Sequence, residues 1–287
     1  MAAAITRPQI VKSRKHQVLP GFGLSLGYSI FYLSVIVLIP ITTLFLKSSQ
    51  LGWHGFARVI GDPEAVAAFK LSFTASFGAA LINLVFGFLI AWVLGRYDFP
   101  FRKLFDSIVD LPFALPTAVA GISLAAVYSS NGWIGKFLTP YNIKIAYTPL
   151  GVLVALVFVG LPYVVRTIQP VLEDLEEQLE EAAESLGANR WQTFIRVILP
   201  VLVPPTIAGF SLAFGRALGE YGSVIFISNN VPFKGEIVPS LIVNELYGND
   251  DLPAATALAV VMLLISFALL LIINTLQRIA SRYQEAN

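Results

Sequence analysis

The chain has 287 residues, of which 56% are hydrophobic and only 13% charged. An ordinary soluble domain carries about 25% charged residues, so there is too little charge here to cover a soluble surface. The composition reads as an integral membrane protein. A net charge of +1 argues against nucleic-acid binding as the main role, and the absence of cysteine excludes disulfides, thiol catalysis and cysteine metal sites. The two histidines, His16 and His54, stand far apart. A two-histidine metal site at helical spacing is therefore absent, and each reads as a polar residue flanking a membrane helix.

Residues 1–20 form a basic tail with Arg7, Lys12, Arg14 and Lys15. Six runs without Asp, Glu, Lys or Arg span 18–46, 71–95, 111–135, 145–165, 197–215 and 252–277. Each is near or above the roughly 20 residues a helix needs to cross the hydrocarbon core. Helices are expected because lipid leaves backbone N–H and C=O groups unsatisfied in any open structure. The ~10-residue alternating segments of a membrane barrel do not occur. The first run is too long for a signal-peptide core and ends in no small-residue cleavage pattern, so it reads as an anchor that stays in the protein. The expected layout is a basic tail over 1–20, a six-span domain over 21–280 and a short tail over 281–287.

Six alternating crossings put twelve Lys and Arg residues, from Arg7 to Arg282, on the face that holds both termini. Six fall on the other face: Lys47, Arg58, Lys70, Lys136, Lys144 and Lys234. The richer face should be cytoplasmic, with both tails and the loop at about 166–200 inside. Short external loops are expected near 47–70, 135–147 and 229–251.

The third run opens D-L-P-F-A-L-P-T, with Pro112 and Pro116 four residues apart and Asp106 and Asp110 at its cytoplasmic mouth. Prolines at that spacing leave carbonyls unpaired on one side of a helix. That helix should face the bundle or a pathway, with Thr117 as a candidate pathway hydroxyl. The fifth run leads into F-G-R-A-L-G-E-Y-G-S, which carries the clear intramembrane charges Arg216 and Glu220. Such charges are expensive in lipid and are buried in a bundle or cavity. Four residues apart, they share a helix face. Two readings stay open: a structural salt bridge between packed helices or with a partner subunit, or positive potential along an anion pathway with Glu220 orienting Arg216. Gly215, Gly219 and Gly222 permit close backbone approach. One straight helix over 197–228 would measure about 48 Å, so Pro204 and Pro205 are expected to break or kink it.

Between the fourth and fifth runs, seven of the chain's 18 acids fall within residues 173–184. Leu172, Leu175, Leu179, Ala183 and Leu186 recur through them at helical spacing. This predicts an acidic helix with one apolar stripe, a left-handed stop at Gly187 and a second helix from Trp191. Helices that lie on membranes favour Lys and Arg. An acidic one better suits a basic groove on a protein partner.

This stretch matches the E-A-A-x3-G-x9-I-x-L-P loop of ABC importer membrane subunits, with Glu181, Ala182, Ala183, Gly187, Leu199 and Pro200 in place and Val197 where the pattern has isoleucine. The segments LPGFGLSLGYS, DLPFALPTAVAGISL, PYVVRTIQPVLEDL and FGRALGEYGSVIFISNN resemble the T-type permease subunits of sulfate/thiosulfate importers. The resemblance implies the all-α type I ABC importer permease fold with six transmembrane helices. It places a cytoplasmic coupling helix around Glu181 to Gly187, between spans four and five. It also implies a bacterial inner-membrane location, a second homologous permease, two ATPase subunits that bind ATP and Mg, and a periplasmic sulfate-binding protein. No cofactor is expected in this chain. Arg216, Glu220, Thr117 and Pro116 are the expected pathway residues. Molybdate permeases are similar in the third and fifth spans and are the alternative. No G-x-x-x-x-G-K-[ST] phosphate loop occurs, so ATP hydrolysis falls to another chain. An ion-coupled secondary transporter is a further class, but no internal repeat is evident and Glu220 is its one good titratable candidate. A membrane enzyme is disfavoured because the histidines are few and outside the spans.

Overall fold

The computed structural model describes residues 22–285, with side chains as far as residue 275. The expected tail 1–20, with His16, lies outside the described residues, as do residues 286 and 287 of the expected C-terminal tail. All regular structure among the described residues is helical. In chain order the first helices are α1 (Phe22–Leu33), α2 (Ile39–Ser48), α3 (Gly52–Ile60), α4 (Pro63–Arg96) and α5 (Arg102–Val109). Next come α6 (Leu111–Ala114), α7 (Thr117–Tyr128), α8 (Gly135–Leu138), α9 (Pro149–Glu173) and α10 (Glu177–Ser185). The last are α11 (Arg190–Thr193), α12 (Leu199–Leu218), α13 (Val224–Ile227), α14 (Val238–Tyr247) and α15 (Leu252–Glu285).

Among the described residues, five helical stretches are long and apolar enough to cross a membrane: Phe22–Ile60, Pro63–Arg96, Pro149–Glu173, Arg190–Leu218 and Leu252–Thr275. The third predicted run differs. It is divided into α6, α7 and α8, and α7 is only 12 residues long. The prolines do not share one kinked helix. Pro112 sits in the first turn of α6, where its missing N–H is harmless, and Pro116 caps the start of α7. Leu115, forced out of helical geometry by the proline after it, is extended at ψ 134°.

The fifth run corrects a second expectation. α12 passes through Pro204 and Pro205 unbroken, and the chain leaves the helix at Gly219 instead. The irregularity lies earlier, in a π-helical stretch at Phe194–Ile198 just ahead of Pro200. A second π stretch, Ser34–Leu38, stands in the same relation to Pro40. A proline ring crowds the carbonyl four residues back, and one wider turn relieves it.

The acidic stripe is not one helix. Leu172 belongs to α9 and is 1% exposed, whereas Leu186, past the end of α10, is 89% exposed. Carboxylates disfavour a helix C-terminus and favour an N-terminus. The acid run therefore ends α9 near Asp174 and opens α10 with Glu177 and Glu180. The expected loop over 229–251 contains α14, whose Val238, Ser240 and Leu241 are buried.

α4, α9 and α12 pack side by side to form the centre of the molecule. Lipid is as apolar as leucine, so helix association in a membrane depends on close packing rather than escape from water. Small residues supply it: Ala79 and Ala91 of α4 are fully buried, and a Cβ at Gly209 of α12 would fall 2.4 Å from the Thr167 Oγ1 of α9. α1 and α2 bury none of their apolar length apart from Ser48 at the end, and α2 leans on α15.

Candidate functional site

The chain places its chemistry in two regions. The first surrounds α10, near the Arg96 end of α4. Gly187 adopts φ +83°, Gly187 N donates to Glu184 O at 2.9 Å, and Ala188 N donates to Ala183 O at 3.0 Å. These two bonds make the left-handed helix stop that the sequence predicts. The turn exposes Glu181, Ala182 and Leu186 while Ala183 is buried against the body. Asn189 and Gln192 then form a reciprocal capping box, each side chain bonding the other's backbone N–H at 2.9 Å. The N-x-x-Q spacing signals this cap and was not used in the sequence reading. Leu199 and Pro200 lie apart from the E-A-A turn, half-buried at the start of α12, with α11 and the π stretch between.

α10 is moored by side chains from other elements. Glu180 pairs with Arg96, whose guanidinium lies over the ring of Trp92, 5.8 Å from its centre. Trp92 meets Phe194 edge to face at 5.5 Å, and Phe194 stacks on Trp191. Beside this stands a hub at Arg166. Its Nε and one terminal nitrogen donate to the two oxygens of Asp110 at 2.8 and 2.7 Å. The other nitrogen donates to Asp106 Oδ1 at 2.6 Å and to Gln169 Oε1 at 2.7 Å. Gln169 Nε2 and Arg102 both donate to Glu173 Oε1, at 3.1 and 2.9 Å. Burial opposes ionisation of Asp106, but the bond and charge of Arg166, helped by Gln169 and Arg102, hold its carboxyl below the ordinary 3.8. The fork ties the segment leading into α6 and α7 to the end of α9. A cleft of about 770 Å³ lies beside it. Asp106 and Asp110 stand out in the sequence, but not Arg166 as their partner, because 56 to 60 residues separate them from it.

The second region is the elbow where α12 ends. Glu220, 2% exposed, pairs with Arg216 and accepts hydrogen bonds from Ser223 N and Ser223 Oγ, both at 2.9 Å. The pair is local to one segment. It does not join two packed helices, which corrects that part of the structural expectation. Its charge is neutralised in place, and the Arg216 side chain remains 31% exposed. α7 closes against the same turn. A Cβ at Gly222 would fall 2.2 Å from Thr117 Oγ1, and one at Gly121 would fall 2.3 Å from Ser223 O. The structure thus brings Thr117, Arg216 and Glu220 to one corner, with the exposed Pro116 one residue before Thr117. Ser223 is the member the sequence reading missed. A serine three residues after a carboxylate at a helix end is the only local signal for it.

Residues 83–283 match the family model of the binding-protein-dependent transport system inner membrane component. The chain is 50% identical over 267 residues to the sulfate transport system permease protein CysT of Escherichia coli (strain K12), covering 93% of this chain and 95% of that protein. It is 51% identical over 255 residues to the protein of the same name from Synechocystis sp., covering 89% of each. Among solved structures, a chain of a bacterial alginate ABC transporter, in complex with an alginate pentasaccharide-bound periplasmic protein, superposes with a TM-score of 0.73. That likeness covers 89% of this chain and 93% of the other at 19% identity, and it shows the shared fold. The fold is the all-helical ABC importer permease fold anticipated above, and the chain belongs to the family of binding-protein-dependent transport system inner membrane components.

Proposed function

We propose that this chain is a membrane-spanning subunit of an ATP-driven importer of sulfate, with thiosulfate as a second cargo. The observation that carries this reading is half-identity to sulfate permeases along nearly the whole chain. On this reading a second, homologous permease completes the pathway, two ATPase subunits bind ATP and Mg, and a periplasmic protein delivers the anion. The face with the lysine and arginine excess is cytoplasmic, both termini are inside, and the third run completes a six-span layout. Glu181, Ala182, Ala183 and Gly187 form the surface that an ATPase seats, with Leu199 and Pro200 anchoring the return into the membrane. The exposed Leu186 supports this assignment, since an apolar side chain left in water favours a partner. The anion passes near Thr117, Pro116, Arg216 and Glu220. Because Arg216 is already paired, this corner guides an anion without holding it tightly, as a conduit must.

The test is ATPase stimulation of the reconstituted complex by binding protein loaded with sulfate, thiosulfate or molybdate. Stimulation by the sulfate-loaded form should be strongest; preference for molybdate overturns the substrate. For the docking surface, Glu181→Lys and Gly187→Val should detach the ATPase or uncouple hydrolysis from uptake. A Cβ at Gly187 meets nothing within 4 Å, so the second substitution acts through backbone strain of about 1–2 kcal/mol at φ +83°. Normal co-purification and coupled uptake in both variants overturn it.

A further inference from the structure

At the far end of α4 from Arg96, on the order of 50 Å away at roughly 1.5 Å per residue, a buried carboxyl has no basic partner. Glu236 is 5% exposed, and its Oε2 makes no hydrogen bond to a donor. It lies within hydrogen-bonding reach of the Glu64 carboxyl in the first turn of α4 and close enough to Glu245 of α14 to feel its charge. No Lys, Arg or His among the described residues forms an ion pair with Glu236, Glu64 or Glu245. The phenols of Tyr221 and Tyr247 line the adjoining cavity. α15 brings the apolar Leu258 to this packing, with Ala65 and Ala68 of α4 and Val238 and Leu241 of α14.

The backbone on either side of Glu236 is pinned. Ser228 Oγ donates to Gly235 O at 2.6 Å on one side, and Val238 N donates to Ser72 Oγ of α4 at 2.8 Å on the other. Glu236 is buried, Glu64 beside it is partly buried and no ion pair neutralises either, so charging both carboxyls is costly. A proton between them resolves the conflict.

We propose that Glu236 and Glu64 hold one proton between them, and that this proton clasps α14 to the start of α4, making this face of the protein responsive to pH. Burial first, then the bond and charge of Glu64 and the charge of Glu245, raise the Glu236 carboxyl from the ordinary 4.5 to about 7. A raised acid stabilises the folded arrangement in its protonated form. The clasp is therefore complete below 4.5 and is lost as pH rises through about 7. A cavity of about 400 Å³, lined by Tyr221, Asn230, Glu236, Ser240, Asn244 and Tyr247, gives water and protons a route to Glu236. Ser240 Oγ donates to Asn230 Oδ1 at 3.2 Å, and Asn230 Nδ2 donates to Ile225 O at 2.8 Å, so α14 is linked to α13. α13 in turn packs on α7. Release of the clasp thereby reaches the elbow at Glu220.

The proposal is tested on the full-length chain co-purified with its co-expressed transport subunits in lipid nanodiscs. Infrared difference titration should show a protonated carboxyl lost with a midpoint near 7. Glu236→Gln should remove that band, and Glu64→Gln should lower its midpoint by roughly one pH unit or more. Hydrogen exchange at the first turn of α14, corrected for intrinsic rates, should rise by about tenfold or more across the same midpoint. In Glu236→Gln it should not respond. The wild-type exchange profile decides the matter even if a variant fails to assemble. No carboxyl titrating above the ordinary range, a band that survives Glu236→Gln, or α14 protection indifferent to pH overturns the clasp.

Discussion

Arg166 and Arg216 are both arginines near the end of a membrane helix, and both meet carboxylates, yet they serve opposite ends. Arg166 spreads its donors over Asp106 and Asp110 of one segment and Gln169 of its own helix, so that two stretches 56 to 60 residues apart meet at one guanidinium. Arg216 meets one carboxylate four residues along its own segment, and that carboxylate is sealed from solvent. A fork that reaches across the sequence ties elements together and can carry motion from one to another. A pair within one segment sets the shape of a turn and cancels a charge where lipid would penalise it. The difference lies in connectivity rather than in residue type.

The sharpest way to break this contrast is at the elbow. Arg216→Ala strands a buried carboxylate and is expected to cost about 3 kcal/mol or more in stability and to abolish uptake. The double variant Arg216→Met/Glu220→Gln removes both charges while leaving an oxygen for Ser223. It should regain stability, measured by thermal unfolding in detergent. If uptake of labelled sulfate stays absent, Arg216 acts on the anion; if uptake returns, the pair is structural only. Next in size is Arg166→Ala, which loses several charge-assisted bonds at a half-buried site, about 2 kcal/mol. Its effect should fall on coupling, read as ATP hydrolysed per sulfate moved, more than on stability. Unchanged coupling with reduced stability would reduce the hub to a brace. The smallest effect is Gly222→Ala, whose Cβ meets Thr117 Oγ1. Overpacking there should cost about 1–2 kcal/mol, and Thr117→Ala should relieve it. Failure of that second change to relieve the first would mean that α7 does not press on the elbow.

Signals carried by neighbouring residues were legible without a structure. The Gly187 stop, the acidic helix before it and the uncharged runs underlying α4, α9, α12 and α15 follow from local pattern. Local rules also misled where two of them competed. Pro204 and Pro205 suggested a break, but α12 runs through both, and the departure from α geometry falls in the π stretch before Pro200 instead. The third run had the length of a span, but Pro116 forces Leu115 out of the helix and divides it. Leu172 and Leu186 shared a periodicity across a boundary that the acid run itself creates.

The sequence by itself determined that the chain is helical and membrane-embedded, and where its polar loop turns. Hydrophobic length, charge sign and the backbone freedom of one glycine are properties of adjacent residues. Only the tertiary structure decided the partners of its ionisable groups: Arg166 with Asp106 and Asp110, Arg96 with Glu180, Glu236 with Glu64. These residues are 56 to 172 positions apart in the chain. Their charges meet only because helix packing, of α9 on α4 at one end and of α14 and α15 on α4 at the other, brings distant stretches of chain within a few ångströms.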